Sequence, residues 1–215
     1  MGFERFGPVE RRIDINGRLL SVWRPPDMEE LIDLVAFEED ERIPYWADVW
    51  ESAIVLAEEL AAVDGRGLSL LELGCGLGLP SLVAAQAGFT VTASDYEPPA
   101  LEGVRFNAVR NGLKAISTRE LDWRALPEDL GRFHRVVAAD VLYESHHPAA
   151  LADVIARTLR PDGIALVADP GRQKAAGFEP AAHAAGLGVV KQQARRPHGA
   201  TDGPAVEIYR VMFPS

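Results

Sequence analysis

Hydrophobic and polar positions alternate through residues 10–24, ERRIDINGRLLSVWR, on either side of Asn16-Gly17. A period of two turns one face of a strand inward, and Asn-Gly suits a two-residue turn, so this stretch predicts a short β-hairpin. The pattern then changes. Pro25-Pro26-Asp27 opens DMEELIDLVAFEEDE, where Leu31, Leu34 and Val35 make an apolar stripe and Asp27 stands as an N-cap. That predicts an amphipathic helix over 27–41. In 43–60, Trp46, Trp50, Ala53, Ile54 and Ala57 recur at helical spacing. They predict a helix that starts near Ala47 and ends before Asp64-Gly65.

From Leu68 onward, strand patterns at 68–73, 90–95, 116–121, 134–140 and 163–169 alternate with helical ones near 79–87, 97–110 and 148–159. Asn111-Gly112 and Pro161-Asp162-Gly163 read as helix stops. Such alternation predicts a parallel sheet wound by right-handed crossovers. A last helix near 175–185 leads to strands at about 187–194 and 205–213. Between them lies the turn-rich RRPHGATDGP, so a long hairpin with an antiparallel final strand is expected. The fold class is α/β: a Rossmann-like, doubly wound, seven-stranded sheet with an N-terminal hairpin and helices. Residues 1–45 are expected to pack on or lid a main domain of 46–215.

Composition narrows the partners. A chain of 215 residues with 47% hydrophobic and 25% charged residues suits one globular core. The 22 basic against 32 acidic residues give a net charge of −10, which argues against a nucleic-acid surface. Window 27–41 alone holds eight acids and no base, which reads as a solvated face or an attraction for a basic partner. A lone Cys75 allows no intrachain disulfide. The uncharged stretch 67–88 is broken by Glu72, Pro80 and five glycines, so it reads as strand-loop-helix and not as a membrane span. With no apolar signal segment at the start, a cytoplasmic location is expected.

The candidate chemistry gathers at strand ends. LLELGCGLGLP (70–80) follows the first parallel strand, where open α/β sheets bind ligands. Gly74, Gly76 and Gly78 let a ligand approach backbone amides. Asp95, closing the second strand, is placed for ribose hydroxyls, Glu72 for a cationic ammonium, and Asp122 and Trp123 for an adenine edge and face. The spacing is G-x-G-x-G. It departs from the dinucleotide fingerprint G-x-G-x-x-G, leaving a nicotinamide protein as a minor alternative. A fourth strand ends in ADVLYE, which delivers Asp140, Tyr143 and Glu144 to one place. Asp169 and Arg172 close the fifth, as a local ion pair or as substrate contacts. His146-His147 lack the further ligands a metal would need, and no metal is expected.

E-x-G-x-G-x-G, the acid at 95 and the Leu-Asp-Trp at 121–123 resemble the seven-β-strand S-adenosylmethionine-dependent methyltransferases. Within these, PYWADVW (44–50), ADVLYE and ADPGR (168–172) resemble the METTL-type protein-lysine methyltransferases, nearest the group that modifies the electron-transfer flavoprotein β-subunit. The resemblance spans about 43–172. It implies cofactor contacts by Trp50, Gly74, Cys75, Gly76, Asp95, Trp123 and the backbone of Ala139, and S-adenosyl-L-methionine as cofactor. It also implies methyl transfer at the end of the fourth strand, where Asp140 would aim an amine, Tyr143 offer a cation–π face and Glu144 orient Tyr143 or meet substrate. The expected acceptor is a protein lysine. A small-molecule amine is the alternative, and an inactive binding module a lesser one.

Overall fold

The computed structural model describes residues 2–31, 43–114 and 116–214. The hairpin forms as its alternation dictates: β1 (Val9–Ile15) pairs antiparallel with β2 (Arg18–Arg24). Asn16 (φ 52°) and Gly17 (φ 84°) take the two left-handed positions of a type I′ turn. Asp27 Oδ1 accepts the Glu29 N–H at 2.8 Å, capping a short 3-10 turn, Glu29–Leu31. The remainder of the acidic helix expected over 27–41 lies outside the described residues.

Seven strands follow: β3 (Ser69–Leu73), β4 (Thr90–Asp95), β5 (Ile116–Glu120), β6 (Phe133–Ala139), β7 (Leu159–Asp169), β8 (Gly188–Lys191) and β9 (Glu207–Met212). Their order is β5-β4-β3-β6-β7-β9-β8. The first five are parallel, and β9 runs antiparallel between β7 and β8. The helices are α1 (Glu51–Ala61), α2 (Leu79–Gln86), α3 (Pro98–Arg110), α4 (His147–Thr158) and α5 (Phe178–Ala184).

Both faces of the sheet are covered, which is why its central strands read as nearly unbroken apolar runs. Leu70, Val137, Leu166 and Ala168 face one core with Ile54, Val55 and Leu60 of α1, Leu82 and Val83 of α2, and the hairpin's Ile13, Leu20 and Val22. Leu71, Leu73, Val136, Ala138, Ala165 and Val167 face the other, with Leu151, Val154 and Ile155 of α4 and Phe178 of α5. The hairpin is tied to α3 through the fully buried Asn107. Its Oδ1 accepts the Trp23 N–H at 2.7 Å, and its Nδ2 donates to the carbonyls of Trp23 (3.1 Å) and Leu77 (3.2 Å).

Three boundaries differ from expectation. The helix expected from Ala47 begins at Glu51, after a 3-10 turn over Tyr45–Ala47 and an extended Asp48. Trp46 and Trp50 therefore do not sit one turn apart on a helix. Trp46 packs among Phe3 and Phe6, while Trp50 occupies the N-cap and donates Nε1–H to the Tyr45 carbonyl at 3.0 Å. Pro161-Asp162-Gly163 does not stop α4, which ends at Thr158. Leu159 already pairs with Phe133, and the intervening residues form an irregularity in β7. The last helix is split into a 3-10 turn, Gln173–Gly177, and α5. No helix among the described residues is long and apolar enough to cross a membrane.

Candidate active site

β3 and β6 are neighbours whose following connections leave in opposite directions, so a crevice opens beyond their C-terminal ends. A cavity of about 430 Å³ occupies it, within the range of small-ligand pockets, roughly 300–1,000 Å³. It brings together Trp50, Glu72, Gly74, Cys75, Gly76, Asp95, Asp122, Trp123, Ala139, Asp140, Tyr143 and Glu144, which all line it, whereas Asp169 and Arg172 stand outside its lining.

The loop after β3 is glycine-rich for steric reasons. Gly74 has φ 64°, and a Cβ there would stand 2.8 Å from Val141 Cγ1; Gly76 has φ 50°, and its Cβ would stand 3.3 Å from the Trp46 carbonyl oxygen. The loop is held from two sides. Asp95 Oδ2 accepts the Gly76 N–H at 2.9 Å while its Oδ1 accepts the Glu97 N–H at 3.0 Å. Each Asp95 oxygen keeps a lone pair for a further donor. Burial pushes its pKa up to about 6, against the pull of those amide donors. Cys75 is buried, its N–H on the Ser94 carbonyl and its thiol pushed well up by burial and by Asp95 and Glu72. It fills space in the loop.

Glu72 is 1% exposed beneath this loop. Its Oε2 accepts the Ser81 N–H at 2.9 Å and the Ser81 hydroxyl. Burial drives its pKa up to about 8, with Ser81 opposing and Asp95 adding to the rise. Asp122 differs from the acceptor expected of it. Both its oxygens bind the Arg124 guanidinium, at 2.8–3.1 Å, and this pairing lowers its pKa.

β6 delivers Asp140 through a left-handed kink. The Asp140 N–H still bonds the Ala168 carbonyl at 2.9 Å, and then φ turns to 60°, a conformation Asp tolerates better than most residues. The carboxylate is buried. Its Oδ1 accepts from the Arg172 guanidinium at 2.5 Å and its Oδ2 faces the Ser52 hydroxyl at 3.4 Å. Burial raises its pKa and Arg172 opposes the rise. Arg172 thus pairs with Asp140 and not, as one reading had it, with Asp169. Asp169 Oδ1 instead accepts the N–H groups of Gly171 and Arg172 at 2.8 and 2.7 Å, which shapes the loop carrying the guanidinium.

Tyr143 is not oriented by a hydrogen bond to Glu144. It is held by rings: Tyr45 at 5.3 Å and His147 at 4.7 Å. Trp50 flanks Tyr45 at 6.1 Å and Trp123 flanks His147 at 5.6 Å, so five rings form an arc across the cavity. Desolvation pushes the Tyr143 phenol up to about 12, so it stays neutral. Tyr45, Ser52 and His147 were not singled out for this role from the sequence. Tyr45 stands inside the PYWADVW stretch, whereas nothing local marks Ser52, 88 residues from its partner. Among the described residues, no group of three or more His, Cys, Asp or Glu side chains is arranged to hold a metal.

The lining is rich in acids: among the described residues Asp48, Asp95, Glu97, Asp122, Asp140 and Glu144 stand there, with the protonated Glu72 beneath the loop, against one guanidinium, that of Arg124.

Residues 32–177 match the family described as lysine methyltransferase. Among curated proteins, the chain is 33% identical over 138 residues to the electron transfer flavoprotein beta subunit lysine methyltransferase of Xenopus laevis, covering 60% of this chain and 53% of that one. It is 38% identical over 122 residues to the protein N-lysine methyltransferase METTL21A of Danio rerio, covering 51% and 54%. The chain spans about half the length of these relatives. Among solved structures, the ribosomal protein L11 methylase of Lactobacillus delbrueckii subsp. bulgaricus superposes with a TM-score of 0.59 at 19% identity, over 76% of this chain and 77% of that one. That likeness is one of fold. The family match, by contrast, takes in more than half of the chain, including the glycine loop, Asp95, Asp140 and Arg172, and the chain belongs to the lysine methyltransferase family.

Proposed function

We propose that this protein transfers a methyl group from S-adenosyl-L-methionine to the side-chain amine of a protein lysine. The observation that carries the reading is the meeting, in one cavity, of a glycine loop backed by Asp95 with the Asp140–Tyr143 end of β6. Family membership and the activities for which the relatives are named support the lysine acceptor.

The residues present fit that cofactor. Side chains at Gly74 and Gly76 would collide with Val141 or crowd Trp46, so the loop presents bare backbone at these two positions. Asp95 retains acceptor capacity for ribose hydroxyls and Trp123 offers a flat apolar face for adenine, while Glu72, buried, protonated and bonded to Ser81, supports the loop from beneath and not as an ammonium counter-ion. Trp50, Cys75 and the Ala139 backbone complete the lining, and the excess of carboxylates suits a cationic ligand. Asp122, engaged with Arg124, contributes through that pair. When bound, the cofactor supplies an electrophilic methyl on a sulfonium, whose departure leaves a neutral thioether.

The chain's own work is to orient the acceptor. Asp140, fixed by Arg172 and Ser52, sets a negative field at the end of β6. Tyr143 and Tyr45 present aromatic rings that attract an ammonium. Positioning of this kind supplies much of the rate of a displacement. Among the described residues of 1–45, only Ile43 and Tyr45 line the cavity, so we assign that segment to bracing α3 with one edge at the mouth.

Incubation of the protein with methyl-tritiated S-adenosylmethionine and a heat-treated extract of its source tests the reading. Label in the protein fraction is expected. Label in small molecules alone would transfer the assignment to a small-amine methyltransferase.

A further inference from the structure

A lysine must lose a proton before its nitrogen can accept a methyl group. A free lysine has a pKa of about 10.4, so roughly one in 2,500 is uncharged at pH 7. Asp140 makes this worse, since a carboxylate stabilises the ammonium. Its Oδ1 is in any case committed to Arg172.

His147 is built to take that proton. It is the first residue of α4 and its ring lines the cavity. Its Nδ1 lies 2.7 Å from the Val141 carbonyl. A carbonyl only accepts, so Nδ1 carries the proton, and the neutral ring presents its lone pair at Nε2. That nitrogen makes no hydrogen bond among the described residues. Tyr143, 4.7 Å away, and Trp123, 5.6 Å away, clamp the ring edge-on, so its position is fixed beside the phenol ring that would receive the acceptor.

We propose that His147 Nε2 accepts the proton of the substrate ammonium, an inference that rests on the lysine reading above. The balance is simple. The N–H bond of R–NH3+ breaks and an Nε2–H bond forms, giving R–NH2 and imidazolium. The amine lone pair then forms the N–CH3 bond as the S–CH3 bond breaks, its electron pair staying on sulfur. The imidazolium returns its proton to water. Burial lowers the His147 pKa, so the ring is neutral and ready at pH 7. The charged and titratable groups around it are Glu144 and His146 on its own segment, Asp140 and Tyr143 beyond β6, the Asp122–Arg124 pair beside Trp123, Asp95 closing β4 and Glu97 beyond it, and Tyr45 before α1.

Two measurements decide it. The first follows tritiated methyl transfer to proteins of the heat-treated extract from pH 7 to 10, for the wild type and His147→Gln. At pH 7 the variant should be slower by about 100-fold, the scale of general base catalysis. By pH 10 the gap should fall below about tenfold, because over a quarter of free lysine, roughly, is uncharged there. A gap that stays constant with pH means a structural role and overturns the proposal. The second is a nitrogen NMR titration of wild-type protein with S-adenosylhomocysteine, which needs neither turnover nor a variant. The Nδ1–H form should titrate below pH 6.5, and added n-butylammonium, a lysine side-chain mimic, should shift the Nε2 resonance alone. An Nε2–H form, or no shift, overturns the proposal. If the wild type labels no lysine at all but the Nε2 shift appears, the acceptor class is at fault and the base stands.

Discussion

Replacing Glu72 with glutamine should make the protein more stable at alkaline pH, against the usual outcome for a buried hydrogen-bonded residue. The carboxyl is 1% exposed and its pKa is raised from about 4.5 to about 8, chiefly by burial. The folded state therefore holds a proton that the unfolded chain releases above about pH 4.5. Stability must fall as pH rises from about 4.5 to about 8 and level off beyond, since the folded state binds more protons throughout that window. A shift of about 3.5 units at 1.36 kcal/mol each is roughly 5 kcal/mol. Glutamine has the shape of the protonated acid, keeps an oxygen for Ser81 and cannot ionise. Urea unfolding of both ligand-free proteins between pH 4.5 and 9 reads the difference. Asp95 and Asp169, each pushed up to about 6 by burial, lower the stability of both proteins between about pH 4 and 6. The gap between the two curves isolates Glu72. The curves should nearly coincide at pH 4.5, and the variant should lead by several kcal/mol at pH 8.5. Parallel curves would mean that Glu72 is already ionised in the folded protein at acid pH, and would refute the reasoning.

Asp140→Asn, which tolerates the left-handed backbone, should reduce methyl transfer at least 100-fold, on the scale of a lost positioning group. Affinity for S-adenosylhomocysteine by calorimetry should stay within about threefold, and an equal loss of both would make Asp140 a cofactor residue. Asp95→Ala removes a charged acceptor and releases the Gly76 and Glu97 amides. It should weaken S-adenosylhomocysteine by about 1.5–3 kcal/mol, again by calorimetry, and unchanged affinity would remove it from the site. Asn107→Ala strips three hydrogen bonds from the hairpin–α3 seam and should cost about 2–4 kcal/mol in urea unfolding, with the Trp23 N–H and the carbonyls of Trp23 and Leu77 losing their partner.

The order of strands and helices was legible because both kinds of pattern are local. Apolar runs ending in Gly or Asp marked β3, β4 and β6, and Asn-Gly marked the hairpin turn. The cavity residues were legible for a related reason: in a doubly wound sheet, ligands meet the C-terminal strand ends, so Gly74, Asp95 and Asp140 were near one another before any coordinates. Partnerships across the chain were not legible. Arg172 stands 32 residues from Asp140, and its nearer neighbour Asp169 was an equally good partner by sequence. Asp122 reads as a free acceptor until Arg124 folds back on it. Trp46 and Trp50 carry helical spacing, but aromatic packing with Phe3 and Phe6 holds Trp46 outside α1, an override of local pattern by tertiary contact. His147 showed only as half of a His-His pair, because its bond to the Val141 carbonyl depends on the kink at Asp140.

Methyl transfer to a protein lysine is read out without intermediary by peptide mass spectrometry. The purified protein, methyl-deuterated S-adenosylmethionine and a protein extract of its source are incubated together, digested and sequenced by fragmentation, with Asp140→Asn as control. One or more labelled methyl groups are expected on the side-chain nitrogen of lysine in a protein of that extract, absent with the variant. Label on another residue type, or on small molecules with every protein unlabelled, would contradict it.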